Sequence, residues 1–319
     1  MNQDAIQARE ATETVLHIYT SNLLRQTTLD SGQGKLPSQI FAPICSLPEF
    51  EELFLNWGYF EGTIHNRAYA HIVKNTFTNS GEQFDKIHET QEIVQMSANI
   101  GKYYDRVHYF NCLRETLATH PELKDSIPYN EYEHKKAIYL AMHASYALEA
   151  IRFIGSFATS LAMAENKLFV GNGNVISLIM KDELLHKAWT AYILNIMLKD
   201  DPVYKQIFHD CKEEIYEIYR ETVEEEKNWS KYLFQKGVIL GMNEQILNSE
   251  IDHIAGTSLA EVGIKYREKF EKEPVLKWML KYKDSTKRQG ALQETENVSY
   301  VVGSTRGALN VADLPEVDF

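Results

Sequence analysis

A chain of 319 residues is long enough to bury a large core, as one big helical domain or two smaller ones. Its formal charge of −12 excludes a surface built for nucleic acid or for an anionic membrane, since both need a basic face. Three scattered cysteines, Cys45, Cys112 and Cys211, exclude a disulfide framework or zinc knuckle and point to a reducing cytoplasm. No signal peptide is expected at the start, and no uninterrupted apolar run of about 18 residues is present to span a membrane.

Gly and Pro are scarce, 16 and 8, and 24% of the residues are charged, which suits long helices joined by short loops. The clearest helix start is Ser46-Leu47-Pro48-Glu49: Ser46 is placed to cap, Pro48 suits the first turn, and Glu49 completes a capping box. From there a helical pattern runs to about Phe77. Amphipathic stretches follow at about 84–105 and 131–164, the second rich in Ala, Leu, Ile and Phe. Asn172, Gly173 and Asn174 break the pattern before a helix over about 175–199. Asp201-Pro202 punctuates, a charged helix covers about 203–236, and one or two weaker helices occupy 242–283.

Strand signals are almost absent, so the expected fold is an all-α bundle over residues 1–283. Residues 284–319 are polar and lack a helical period, and such a segment cannot bury enough surface to order itself. Leu314, Val317 and Phe319 among terminal acids read as a docking peptide; the competing reading is a frayed tail with no partner.

Chemistry concentrates on apolar helices. Glu183 and His186 are three apart, so both side chains share a helix face, and their neighbours are largely apolar. A carboxylate and an imidazole on a buried face are costly unless paired or metal-bound. Glu149 poses the same problem, with Phe153 and Phe157 extending its face, and His65 has Tyr69 one turn further along. An isolated E-x-x-H pair is common on helix surfaces, and a lone buried Tyr is ordinarily core. Ligands drawn from several helices, Asp30 among them, are more specific: carboxylates and imidazoles facing into a bundle are how such folds hold two metal ions, and these donors suit iron or manganese.

Leu29-Asp30-Ser31, Thr63-Ile64-His65 with Arg67 and Tyr69, Ala147-Leu148-Glu149-Ala150-Ile151-Arg152-Phe153, and Asp182-Glu183-Leu184-Leu185-His186 resemble the radical-generating small subunit of class I ribonucleotide reductase. The resemblance runs from about residue 15 to the C-terminus. It implies a ferritin-like fold, a homodimer, and a dinuclear iron or manganese site that oxidises a Tyr to a radical. A large catalytic subunit then uses that oxidising equivalent to reduce ribonucleotides. By position, Asp30 and His65 belong to one metal, and Glu149, Glu183 and His186 to the other. Tyr69 matches the radical Tyr, with Phe153, Phe157 and Ile179 its apolar pocket. Asp182 matches an acid of the transfer path, Tyr300 the redox Tyr of the tail and Glu294 a tail carboxylate; the peptide ending in Phe319 would dock on the large subunit.

Two departures stand against that pattern. The family carries a metal-bridging glutamate three residues before the first-helix histidine, where this chain has Gly62. Counting forward from Asp30 selects Glu61 instead, so Gly62 reads as an inserted residue. In a regular helix Glu61 is four residues before His65, about 40° round the axis, and a π-bulge at Gly62 absorbs the insertion. The competing reading leaves Glu61 an ordinary acid and the metal site with three carboxylates and reduced occupancy.

The second departure is the family's transfer-path Trp on an N-terminal segment, which by the resemblance would fall upstream of Met1; Trp57, Trp189, Trp229 and Trp278 do not match it. The expectations are three: the sequence is a fragment, the segment is a separate N-terminal polypeptide, or long-range transfer is broken. The leading functional expectation is the radical subunit. The alternatives are a ferritin-like oxidase with an altered site, and a radical-incompetent subunit that only binds the large subunit or an active homologue.

Overall fold

The computed structural model describes residues 2–284. Glu294, Tyr300 and the terminal docking peptide therefore lie outside the described residues, as does the rest of the expected tail beyond Asp284. The chain up to Lys283 forms one compact unit.

In chain order the helices are α1 (Asn2–Glu10), α2 (Glu13–Gln33), α3 (Leu36–Ile40), α4 (Pro48–Tyr59), α5 (Asn66–Thr76), α6 (Ser80–Glu89) and α7 (Gln91–Thr119). They continue as α8 (Glu131–Ala147), α9 (Ile154–Glu165), α10 (Val170–Asp200), α11 (Pro202–Asp210), α12 (Lys212–Leu233), α13 (Glu244–Glu261) and the short α14 (Leu280–Lys283). The described residues contain no strand, only an isolated bridge between Ile239 and Met242.

The centre of the bundle is the rod formed by α8 and α9, whose residues from Tyr139 to Met163 are buried almost without exception. A helix apolar on every side has to be surrounded, and α2, α7, α10, α12 and α13 pack round this one. Glu131–Glu165 is long and apolar enough by composition to cross a membrane, and 94% of that apolar window is buried inside the bundle. The Asn130 side chain caps the rod by accepting from Glu133 N. α12 shows the complementary pattern: Ile215, Ile218, Tyr219, Thr222, Val223, Glu226 and Trp229 form one buried face at helical spacing, and charged residues cover the other.

Two rods are interrupted by π-turns. Phe60–His65 joins α4 to α5, and Leu148–Phe153 joins α8 to α9. Both carry a glutamate at their second position, Glu61 and Glu149. The first π-turn falls at the inserted Gly62; the second has no glycine and no sequence signal.

Several boundaries differ from expectation. Ser46 does not cap α4: Leu47 takes that position and makes no side-chain cap bond. The stretch expected at 84–105 is two helices parted at Thr90, and the one expected at 203–236 is two parted at Cys211. Asn172, Gly173 and Asn174 do not break a helix but lie within α10. The turn comes earlier, at Lys167 and Phe169, whose φ values of 62° and 52° are left-handed. Asp4 then caps α10 by accepting from Gly171 N and Asn172 N, while the Asn172 amide donates to Tyr19 and Thr76. A cap from α1 cannot be read from local sequence.

Candidate metal centre

Four segments deliver the site. α2 buries a polar face at helical spacing, Asn22, Gln26, Asp30 and Gln33, against the rest of the bundle. The first π-turn contributes Glu61 and His65, the second Glu149, and α10 contributes Glu183 with His186 one turn on. All six candidate ligands are at most 3% exposed.

They form two adjoining groups. In one, ligating atoms of Asp30, His65 and Glu183 lie within 4.8 Å of one another; in the other, those of Glu61, Glu149, Glu183 and His186 do. Glu183 belongs to both. His65 Nδ1 donates to Asp30 Oδ1 at 2.8 Å and lies 3.0 Å from Glu183 Oε1. His186 Nδ1 is 2.7 Å from Glu183 Oε2, 3.1 Å from Glu61 Oε1 and 3.9 Å from Glu149 Oε2. The π-turn thus turns Glu61 inward despite the insertion.

Without a cation this cluster must hold protons. Burial, then repulsion from Glu183, Glu149 and Asp30, raises the Glu61 carboxyl well above its ordinary range. Burial and Glu183 do the same to Glu149. Burial lifts Glu183 to about 7 against the favourable contact with His65. Burial alone pushes His65 down, but Asp182, Asp30 and Glu183 outweigh it and hold the imidazole up to about 12. His186 goes the other way: burial holds it near 4, so its ring is neutral and nearby protons reside on carboxyls. A divalent ion replaces those protons with charge that the carboxylates need, which is the ordinary coupling of metal binding to proton release.

Unsatisfied atoms tell the same story. Asp30 Oδ2, Glu61 Oε2 and Glu149 Oε2 are buried without a hydrogen bond. Each such atom costs roughly 1–3 kcal/mol, more when charged, so several in one place fit a group waiting for a cation. Four carboxylates and two imidazoles are hard and borderline donors of the kind iron and manganese take.

The surroundings hold the ligands in place. Trp57 Nε1 donates to Glu61 Oε1 at 2.5 Å, and the same indole stacks on the His186 ring at 4.9 Å. Gln33 Nε2 donates to Glu149 Oε1 at 2.7 Å; Tyr104 in turn donates to Gln33 Oε1 at 2.6 Å and lies 2.6 Å from the Ser145 hydroxyl. His65 Nε2 donates to Asp182 Oδ2 at 3.0 Å, and the Asp182 side chain is 41% exposed, so this pair leads from the core towards the surface.

Tyr69 lies one turn beyond His65, fully buried, its hydroxyl without a hydrogen bond. Burial and then the Asp30, Glu183 and Glu61 carboxylates keep it neutral. Phe153 and Phe157 stack on each other at 5.5 Å, and both are buried, as is Ile179.

Sequence reasoning missed Trp57, Gln33 and Tyr104. Two of them carried a usable signal. Trp57 is four residues before Glu61, and Gln33 three after Asp30, so each shares a helix face with a candidate ligand. Tyr104 comes from a distant helix and carried none.

A helical bundle whose core gathers carboxylates and imidazoles from four segments is a protein of the ferritin-like class. Its relatives narrow that class. A family model described as ribonucleotide reductase, small chain, matches residues 1–274. The chain is 35% identical over 320 residues to the ribonucleoside-diphosphate reductase 1 subunit beta of Salmonella typhimurium, a match covering 98% of this chain and 84% of that protein. It is 31% identical over 318 residues to the subunit beta of Enterobacteria phage T4, covering 94% and 80%.

In fold it is similar to the ribonucleotide reductase R2 subunit from Clostridium botulinum, with a TM-score of 0.73 at 20% identity over 88% of this chain and 81% of that one. It also resembles the dimanganese(II)-NrdF of Streptococcus sanguinis, with a TM-score of 0.64 at 18% identity over 83% and 81%. The chain belongs to the ribonucleotide reductase small-chain family, the small subunits of an oxidoreductase.

Proposed function

We propose that this chain forms a radical on Tyr69 beside a pair of iron or manganese ions and passes the oxidising equivalent to a large subunit that reduces ribonucleotides. The observation that carries the reading is the pair of adjoining buried clusters sharing Glu183, with a buried phenol one turn from His65. Asp30 and His65 would hold one ion, Glu149 and His186 the other, with Glu183 reaching both and Glu61 closing the second. When bound and activated by oxygen, such a pair supplies the one-electron oxidation of a neighbouring phenol.

The protein's part is to shape that event. Burial keeps the Tyr69 proton on its oxygen until oxidation, and Asp30 Oδ2, unpartnered in the same core, is the acceptor we assign to it. Phe153, Phe157 and Ile179 supply dry walls, which slow quenching of a radical by water. His65 Nε2 and Asp182 form the exit from the core. We propose that this exit continues through Tyr300, that the C-terminal peptide docks on the large subunit, and that the chain pairs with a second copy. Leu55, Tyr59 and Ile64, exposed apolar residues along α4 and its π-turn, supply surface for a protein partner.

A radical-incompetent subunit would follow if the insertion carried Glu61 away from the cluster, but Glu61 Oε1 lies 3.1 Å from His186 Nδ1. A ferritin-like oxidase remains a second chemistry for the same ligands, and an assay with a cognate large subunit separates the two. The direct test is electron paramagnetic resonance after anaerobic loading with iron or manganese and exposure to oxidant. A tyrosyl signal in the wild type, lost in Tyr69→Phe, is expected; a metal-loaded wild type with no such signal rejects the radical role.

A further inference from the structure

Gly34 and Gly62 are in contact through their backbones. A Cβ on Gly34 would meet Gly62 N at 2.6 Å and Gly62 Cα at 2.7 Å; a Cβ on Gly62 would meet Gly34 O at 2.9 Å. Gly58, one turn before Gly62, leaves equally little room, its Cβ meeting Ser38 Oγ at 2.5 Å. Gly58 and Gly62 therefore make a flat ridge against which the end of α2 and the start of α3 lie.

Neither contact glycine is required by backbone conformation. Gly34 has φ −63° and ψ −8°, ordinary right-handed values, and Gly62 is not among the glycines with positive φ. Backbone of this right-handed kind is open to alanine. What excludes a side chain is proximity alone.

That proximity joins the two segments that carry half the site. Asp30 is four residues before Gly34, whose N–H donates to the Asp30 carbonyl at 2.8 Å. Glu61 and His65 flank Gly62. The bond from His65 Nδ1 to Asp30 Oδ1 spans the same seam, and Ser31 Oγ donates to Asn66 Oδ1 across it. Restoring ordinary carbon contact of about 3.5 Å at Gly34 would separate the segments by nearly 1 Å. Metal–ligand distances tolerate about 0.2 Å.

We propose that the Gly34–Gly62 backbone contact is the positioning device of the metal site: it sets the spacing of Asp30 from Glu61 and His65, and so makes room for the inserted residue without loss of a ligand. The inference rests on the two-metal reading above. Gly34 and Gly62 touch no metal and act through the ligands beside them.

The test is anaerobic Mn(II) titration of the full chain, read by the number of ions bound, by the resonance line shape, which separates a coupled pair from isolated ions, and by the metal-induced rise in melting temperature. Gly34→Ala is compared with Gly62→Ala and with Gly32→Ala, a control on the same helix whose Cβ meets nothing within 4 Å. Gly32→Ala is expected to bind as the wild type does. Gly34→Ala should weaken binding about 10- to 100-fold, the usual cost of disturbing a ligand's support, and should replace the coupled signal by that of isolated ions. Gly62→Ala, which meets one carbonyl oxygen, should show a smaller loss in the same direction and decides the matter if Gly34→Ala does not fold. A folded Gly34→Ala with wild-type affinity and a coupled signal overturns the inference while leaving the two-metal reading standing. A wild type that binds no manganese overturns both.

Discussion

Glu61→Gln separates the two jobs given to the inserted π-turn. Glutamine keeps the shape and an acceptor oxygen for Trp57, but cannot supply a negative charge. In the metal-free protein burial and repulsion from Glu183 and Glu149 raise the Glu61 carboxyl well above its ordinary range, which favours the neutral form that the amide imitates. Melting of the metal-free variant should stay within about 2 °C of wild type, corresponding to about 1 kcal/mol for a unit of this size.

The metal-bound protein should differ. At 100 times its dissociation constant an ion adds about 2.7 kcal/mol of stability, and a roughly 100-fold loss of affinity leaves about 0.4 kcal/mol. For the 283 residues of the bundle the unfolding entropy is about 0.6 kcal/mol per degree. The metal-dependent rise in melting temperature therefore falls from about 4–5 °C to under about 1 °C per ion. Calorimetry with and without Mn(II) reads both numbers. A metal-free variant melting many degrees lower would mean that Glu61 is ionised and paired, and an unchanged metal increment would mean that it is no ligand; either result refutes the reasoning.

Three further outcomes follow. Tyr69→Phe removes a buried hydroxyl without a partner, so the metal-free stability should be unchanged or higher by about 1 kcal/mol; a loss of several kcal/mol in denaturant titration would show that the hydroxyl is bonded. Arg25→Met strips Glu226 of its bidentate partner in the core, where Arg152 lies 3.5 Å away, and should cost about 3–5 kcal/mol, or roughly 5–8 °C; a shift under about 1 °C contradicts that. His143 is buried and held near pKa 3 by burial, so between pH 6.5 and 5 protons bind the unfolded chain but not the folded one. Stability then falls on acidification by up to about 1.4 kcal/mol per pH unit. His143→Gln should flatten that slope in a melting-temperature profile, and an unaltered slope would refute it.

The helical class of the fold was legible because α12 carries a consistent apolar period, Gly and Pro are scarce, and strand signals are almost absent. Boundaries set by tertiary contacts were not: Asp4 caps α10 from another helix, and so Asn172 to Asn174 read as a break when they are interior. At the site, Glu183 and His186 stood out because charged groups on an apolar face demand compensation. Glu61 was legible through register, since one extra residue after it predicted a local π-turn. The second π-turn, at Glu149, had no inserted residue to announce it. Gly34 was invisible because its importance lies in a backbone 28 positions away, and that distance vanishes only on folding.

The measurement that bears most directly on the account is a crystal structure of the manganese-loaded protein with anomalous scattering at the metal edge. Two peaks are predicted, one against Asp30 and His65 and one against Glu61, Glu149 and His186, with Glu183 reaching both. Absent peaks, or a single ion with Glu61 turned away, would contradict it.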